Sequence, residues 1–170
     1  CADGVTLHAH RNVLAAASPY FCTVFKGPWK ENHEGGKWVT SHKSELMKAV
    51  LGFIYTGKVD SSLIDTDPQG MLSVSSEYDL DDLKQQSEAT CVRNLSVGNV
   101  KETLQIAHLH SSARLKKACF GFVQKNAARI LADPAMMSLP NEDAELWNEL
   151  TDAIAPAEAD DEARTAKRRR

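Results

Sequence analysis

The sequence predicts an α+β fold, helical for most of its length with a small sheet near the N-terminal end, and three observations carry that reading. Apolar residues recur at helical spacing through much of the chain. Two short bulky or β-branched segments stand apart from that pattern, and Ser-Pro, Gly-Pro and Gly punctuation divides the chain into short elements. Val5 to Leu7 is the first candidate strand. His10, Val13, Leu14 and Ala17 then share one helical face, and Ser18 can cap a second helix whose first turn holds Pro19. That helix buries Phe21, Val24 and Phe25 and stops at Gly27-Pro28, because proline cannot continue it.

A polar loop from Lys30 to Lys37 leads to Trp38-Val39-Thr40, the second candidate strand. Leu46, Met47, Val50, Leu51 and Ile54 fall at helical spacing, and Gly57 stands where a C-terminal cap belongs. A loop rich in Asp and Ser, Asp60 to Pro68, precedes a helix carrying Met71, Val74, Ser75 and Tyr78. From Asp79 the next helix turns Leu80, Leu83 and Ser87 inward, with Cys91 near its end. Val97, Val100, Leu104 and Ala107 form one stripe, and Leu115, Ala118, Cys119, Phe122 and Val123 a second, so these two helices read as an antiparallel pair. Pro134 and Pro140 bracket a linker, and Leu146, Trp147, Leu150 and Ile154 mark a last helix. From Pro156 onward the composition is that of a disordered tail.

At 170 residues, 42% apolar and 25% charged, the chain has room for one domain with a helical extension. A net charge of -3 gives no general attraction to nucleic acid or anionic membrane, and no apolar run approaches a membrane span. Cys1, Cys22, Cys91 and Cys119 are scattered without a Cys-x-x-Cys pair, which reads as reduced thiols in a cytosolic or nuclear protein. The chain opens on Cys1 with a strand almost at once, so an N-terminally truncated chain is expected.

Two motifs carry a family resemblance. His10-x-x-Val13-Leu14-Ala15-Ala16-x-Ser18-x-Tyr20-Phe21, answered by Phe53-Ile54-Tyr55-Thr56-Gly57-Lys58, resembles the BTB/POZ domain, a protein-interaction fold. Asn94-Leu95-Ser96-Val97-Gly98-Asn99, continuing to Ala107-His108-Leu109-His110-Ser111, is similar to the helical pair called the 3-box in the speckle-type POZ protein subgroup. The resemblance implies a BTB/POZ domain over residues 1–93 that lacks its N-terminal dimerisation elements. It also implies a 3-box and partial BACK-like extension over 94–155 and a tail with a basic end over 156–170. BTB adaptors that bind cullin-3 carry a hydrophobic-x-Glu motif, and Trp29-Lys30-Glu31 matches it here. The cullin-3 contacts so implied are Phe25, Trp29, Lys30 and Glu31, with Leu95, Val97 and Leu104 from the 3-box. This sequence departs from the family pattern at His108, at Ser87 and at Ser75-Ser76-Glu77 before Tyr78.

Each candidate has a plainer alternative. Trp29, just past a buried helix, either presents itself as an aromatic interface anchor beside a charge or folds back over the core. The 3-box helices either extend a docking surface or only cap the domain. His8 with His10 and His108 with His110 are His-x-His pairs, but no neighbouring Cys, Asp or Glu completes a zinc site, so no metal and no cofactor is expected. Ser18 reads as a helix cap, Cys22 lacks a basic neighbour, and Gly35-Gly36 lacks the context of a phosphate loop, so no enzyme is expected. Lys167-Arg168-Arg169-Arg170, behind the acidic stretch Glu158 to Glu162, is either a nuclear import signal or a solvated end.

The function so implied is that of a substrate adaptor of a cullin-3-RING ubiquitin ligase, promoting ubiquitination and proteasomal degradation. It would be nuclear or cytoplasmic and a homodimer when full length, with its protein substrate held by a MATH or ankyrin domain outside this chain. The alternatives are a BTB module that recruits transcriptional corepressors and a purely oligomerising module.

Overall fold

The structure is a computed structural model that describes residues 1–27, 37–59 and 61–155. Twelve helices make up its regular structure among those residues, and no strand is present among them. The first two, α1 (Arg11–Ala17) and α2 (Pro19–Lys26), meet at the corner expected from Ser18-Pro19. Ser18 holds an extended backbone, and its hydroxyl accepts from the Phe21 N–H at 3.1 Å while Pro19 occupies the first turn. The same hydroxyl donates to the Tyr78 carbonyl at 2.6 Å, so one buried side chain both starts α2 and ties it to a residue sixty positions away.

Next come α3 (Ser44–Thr56), α4 (Ser61–Thr66), α5 (Pro68–Glu77) and α6 (Asp81–Arg93). Gly57 closes α3 at φ 68°, a left-handed conformation that costs glycine little. Asp67 starts α5 by accepting from the Gly70 N–H at 2.8 Å. A Cβ on Gly70 would lie 2.2 Å from that carboxylate, so the cap needs glycine there. The last six helices are α7 (Val100–Leu109), α8 (Ala113–Lys125), α9 (Ala127–Ile130), α10 (Pro134–Met137), α11 (Leu139–Glu142) and α12 (Ala144–Ile154). As the two apolar stripes predict, α7 packs on α8.

The expected sheet is corrected. Among the described residues, neither Val5 to Leu7 nor Trp38-Val39-Thr40 meets an extended neighbour with which to form a ladder, and a β-strand exists only through such pairing. The Val5 carbonyl accepts from the Cys1 backbone nitrogen at 3.1 Å, and the Val5 N–H donates to the Asp3 carboxylate at 3.3 Å. The residues flanking the two stretches are joined by the Ala2 N–H to the His42 carbonyl at 2.9 Å and by the Ser44 N–H to the Asp3 carboxylate at 2.9 Å. The loop and the linker of the sequence reading are corrected too. Between Asp60, which lies outside the described residues, and Pro68 the chain forms α4 and buries Ile64. Between Pro134 and Pro140 it forms α10 and the start of α11, burying Met136 and Leu139, with Asp133 capping α10. The helix expected from Asp79 begins at Asp81, because Asp79 takes φ 49° and turns the chain.

Two apolar clusters hold the helices. The first gathers Leu14, Phe21, Met47, Val50, Ile64, Met71, Val74, Tyr78 and Leu83 from α1 to α6. The second gathers Leu72 and Cys91 with Val100, Leu104, Leu115, Cys119, Leu139, Leu146 and Leu150. The two clusters therefore share α5 and α6: Met71 and Val74 serve one, and Leu72 between them serves the other.

Candidate protein-interaction surface

A group of aromatic rings organises the end of α2. Phe21 is buried and stacks on Phe25 with centroids 5.8 Å apart and an 18° interplanar angle. Arg11 sets its guanidinium 4.8 Å from the centre of the Phe25 ring, a cation–π contact across α1 and α2. Trp38 approaches Phe21 edge-on at 6.3 Å and Tyr20 at 5.8 Å. Phe25 and Trp38 thus rest on the same ring, and the sequence between them includes Trp29, Lys30 and Glu31, which lie outside the described residues.

From that aromatic group a polar seam crosses α5. Thr40 is buried and shares a 2.7 Å hydrogen bond with the hydroxyl of Tyr78, whose own pKa burial pushes up. Val39 beside it is 83% exposed. His42 Nε2 lies 2.7 Å from Glu77 Oε2 at the end of α5. One turn earlier on the same helix, Ser73 Oγ lies 3.1 Å from His110 Nε2, at the C-terminal end of α7. Lys84 of α6 donates to the His110 carbonyl at 3.1 Å, and burial together with the Lys84 charge lowers the His110 pKa. Leu109, next to His110, is 74% exposed. The seam therefore joins the segment after residue 36 to the last turn of α7, flanked by two aliphatic side chains in water.

The residues singled out from sequence divide. Phe25 is half-buried at the rim of the aromatic group. Leu95 and Val97 are half-buried and pack against the second cluster. Leu104 is corrected: it has no exposed surface, so it supports the fold from inside and offers a partner nothing to touch. Lys167, Arg168, Arg169 and Arg170 lie outside the described residues, as do Gly35 and Gly36. The sequence reading did not find the His42–Glu77 and Ser73–His110 pairs. Thirty-five and thirty-seven positions separate their members, and no local spacing encodes such a meeting.

The histidines face different partners. The His10 backbone N–H and its Nδ1 both reach the Tyr55 hydroxyl, at 2.7 and 2.8 Å, so His10 links α1 to α3 from an exposed position and not from within the core. His108 Nδ1 is 2.9 Å from Lys116 Nζ. No group of three or more metal-ligating side chains gathers among the described residues. Cys91 and Cys119 are buried, and desolvation pushes their thiols up to about 11 and about 12, so neither supplies a thiolate near neutral pH.

A family model described as the BTB/POZ domain matches residues 1–95, more than half of the chain. The chain belongs to the BTB/POZ domain family. BTB/POZ is a protein-interaction domain, not a catalytic one; its members typically dimerise, and many dock cullin-3. Over 155 residues the chain is 30% identical to TD and POZ domain-containing protein 4 of Mus musculus, covering 91% of this chain and 42% of that relative. It therefore spans less than half the length of the curated relative it matches. The BTB/POZ match ends at the turn before α7, yet Leu72 and Cys91 within it belong to the second cluster, so the domain and the helices after it pack as neighbours through a common core.

Proposed function

We propose that this chain is the cullin-3-docking part of a substrate adaptor for a cullin-RING ubiquitin ligase, of the speckle-type POZ protein kind. The observation that carries the reading is the run of contacts from Phe25 and Trp38, through Tyr78, to His42–Glu77 and on to Ser73–His110, with Val39 and Leu109 exposed beside it. The Trp29-x-Glu31 motif adjoins that surface in sequence, and the helices with the 3-box resemblance border it. Exposed aliphatic side chains around oriented polar groups suit a protein partner: the apolar groups supply burial, and the polar groups set register. Phe25, Leu95 and Val97 border this contact, and Trp29, Lys30 and Glu31 contribute the anchor. Lys167 to Arg170 serve as a nuclear import signal, and a domain outside this chain holds the substrate. In such an adaptor the chain's work is positional: it raises the effective concentration of a substrate near the ligase.

The test is calorimetric titration of the chain with the N-terminal domain of cullin-3, beside a variant carrying Trp29→Ala and Glu31→Ala. Loss of a hot-spot pair costs about 2 kcal/mol or more, roughly a thirtyfold weakening of Kd. A folded parent chain that gives no heat and no complex on gel filtration overturns the cullin reading.

A further inference from the structure

Residues 103–132 contain no Asp or Glu, whereas Arg114, Lys116, Lys117, Lys125 and Arg129 all fall among them, in a chain whose net charge is -3. Lys116 is engaged, with its ammonium 2.7 Å from Glu149 Oε2 and 2.9 Å from His108. The other four are exposed, and none has an ion-pair partner among the described residues. At about 100° of rotation per residue, Arg114, Lys117 and Lys125 fall within roughly 80° of one another on α8. They lie away from the side that buries Leu115, Cys119 and Val123, and Arg129 is a further exposed cation on α9, past the break in the helix at Asn126. From Arg114 to Lys125 the stripe runs about 17 Å along the helix.

The chain carries a complementary block of its own. Glu158, Asp160, Asp161 and Glu162 follow closely on α12, which ends at Ile154 and packs against α8. From Ala155 to Glu162 is seven residue steps, a span of up to about 25 Å for an extended chain. A helix with its side chains is only about 10–12 Å across, so the block can pass around α8 to its outer side. Tethering through so short a segment gives the acidic block an effective concentration in the millimolar range, enough for weak charge contacts to hold it.

We propose that the acidic block at 158–162 docks on the basic stripe of Arg114, Lys117 and Lys125 and on Arg129 beyond it, an intramolecular clasp that an acidic partner would have to displace. The experiment compares amide proton–nitrogen correlation spectra of the parent chain with those of a variant carrying Glu158→Gln, Asp160→Asn, Asp161→Asn and Glu162→Gln. Spectra are taken at about 0.1 M and about 1 M salt, where the screening length falls from roughly 10 Å to roughly 3 Å. The clasp predicts that neutralising the block moves amide signals across residues 113–129 at low salt and that the difference vanishes at high salt. Arg114→Glu with Lys117→Glu, in a chain whose spectrum stays dispersed, should remove the effect. The proposal is overturned if the changes are confined to the residues next to Ala155, appear on another surface, persist in about 1 M salt or do not occur. It is also overturned if heparin, a polyanion supplied in trans, binds the parent and the neutralised variant equally well, because the stripe is then open in both.

Discussion

Leu72→Ala tests whether the BTB/POZ domain and the helices after it unfold as one body. Leu72 lies on α5 inside the BTB/POZ match but is fully buried in the second cluster, beside side chains from α7, α8 and α12. Truncating a fully buried leucine removes its transfer free energy and leaves a cavity, a loss of about 2–5 kcal/mol. For a chain of this length each kcal/mol lowers Tm by about 2–4 °C, which puts the expected fall at about 4–20 °C. Leu109→Ala is the control, since Leu109 is 74% exposed and a surface change of that kind stays within about 0.5 kcal/mol.

The assay is urea unfolding followed separately at each cluster. Trp38 packs against the first and Trp147 against the second, so each reports alone once the other two tryptophans are replaced by phenylalanine. Shared helices predict that Leu72→Ala lowers both midpoints together. A fall at Trp147 with Trp38 unmoved refutes the shared core, and a loss below about 1 kcal/mol refutes the burial argument itself.

Three further outcomes follow from single contacts. Ser18→Ala removes the cap of α2 and leaves the Tyr78 carbonyl without its partner, so chemical unfolding should show a loss of about 2–4 kcal/mol, the cap and the buried acceptor together. Glu142 is held down to about 2, chiefly by Lys101 and then by Ser138 and Gln105. Its folded pKa is depressed, so its contribution is present above the ordinary carboxylate value near 4.5 and is lost as pH falls toward 2; Glu142→Gln should flatten the urea midpoint across that window. Under native conditions a thiol reagent should modify Cys1 and Cys22 quickly, and Cys91 and Cys119 only after unfolding; rapid modification of all four would contradict the burial of the latter pair.

The helices were legible where periodicity and punctuation agree. Val74 and Tyr78 turn to the core as their spacing requires, and Ser18-Pro19 and Gly57 end elements where their chemistry says they should. The strands were misread for a physical reason: Val5 to Leu7 and Trp38 to Thr40 have strand-like side chains, but a strand is a property of two backbones, and one segment's sequence does not report its neighbour. The helices α10 and α11 were hidden because proline reads as a breaker, although at the first turn of a helix it is favourable, as at Pro134. The polar seam was illegible for the reason that misled the strand reading: one segment's sequence does not report its neighbour. His42 and Glu77 become a pair only after α5 is fixed against the segment that follows residue 36.

Helix α5 shows why fold and surface cannot be separated here. Met71, Val74 and, just past its end, Tyr78 belong to one cluster, Leu72 belongs to the other, and Ser73 and Glu77, one turn apart, carry the polar seam. Three sides of a ten-residue helix are thus committed to three different neighbours. Any rotation that improves packing on one cluster moves Ser73 away from His110 or Glu77 away from His42, because the side chains are fixed to one rigid backbone. The helices after residue 95 therefore help to fix the orientation of α5 by packing around Leu72, and with it the positions of Ser73 and Glu77.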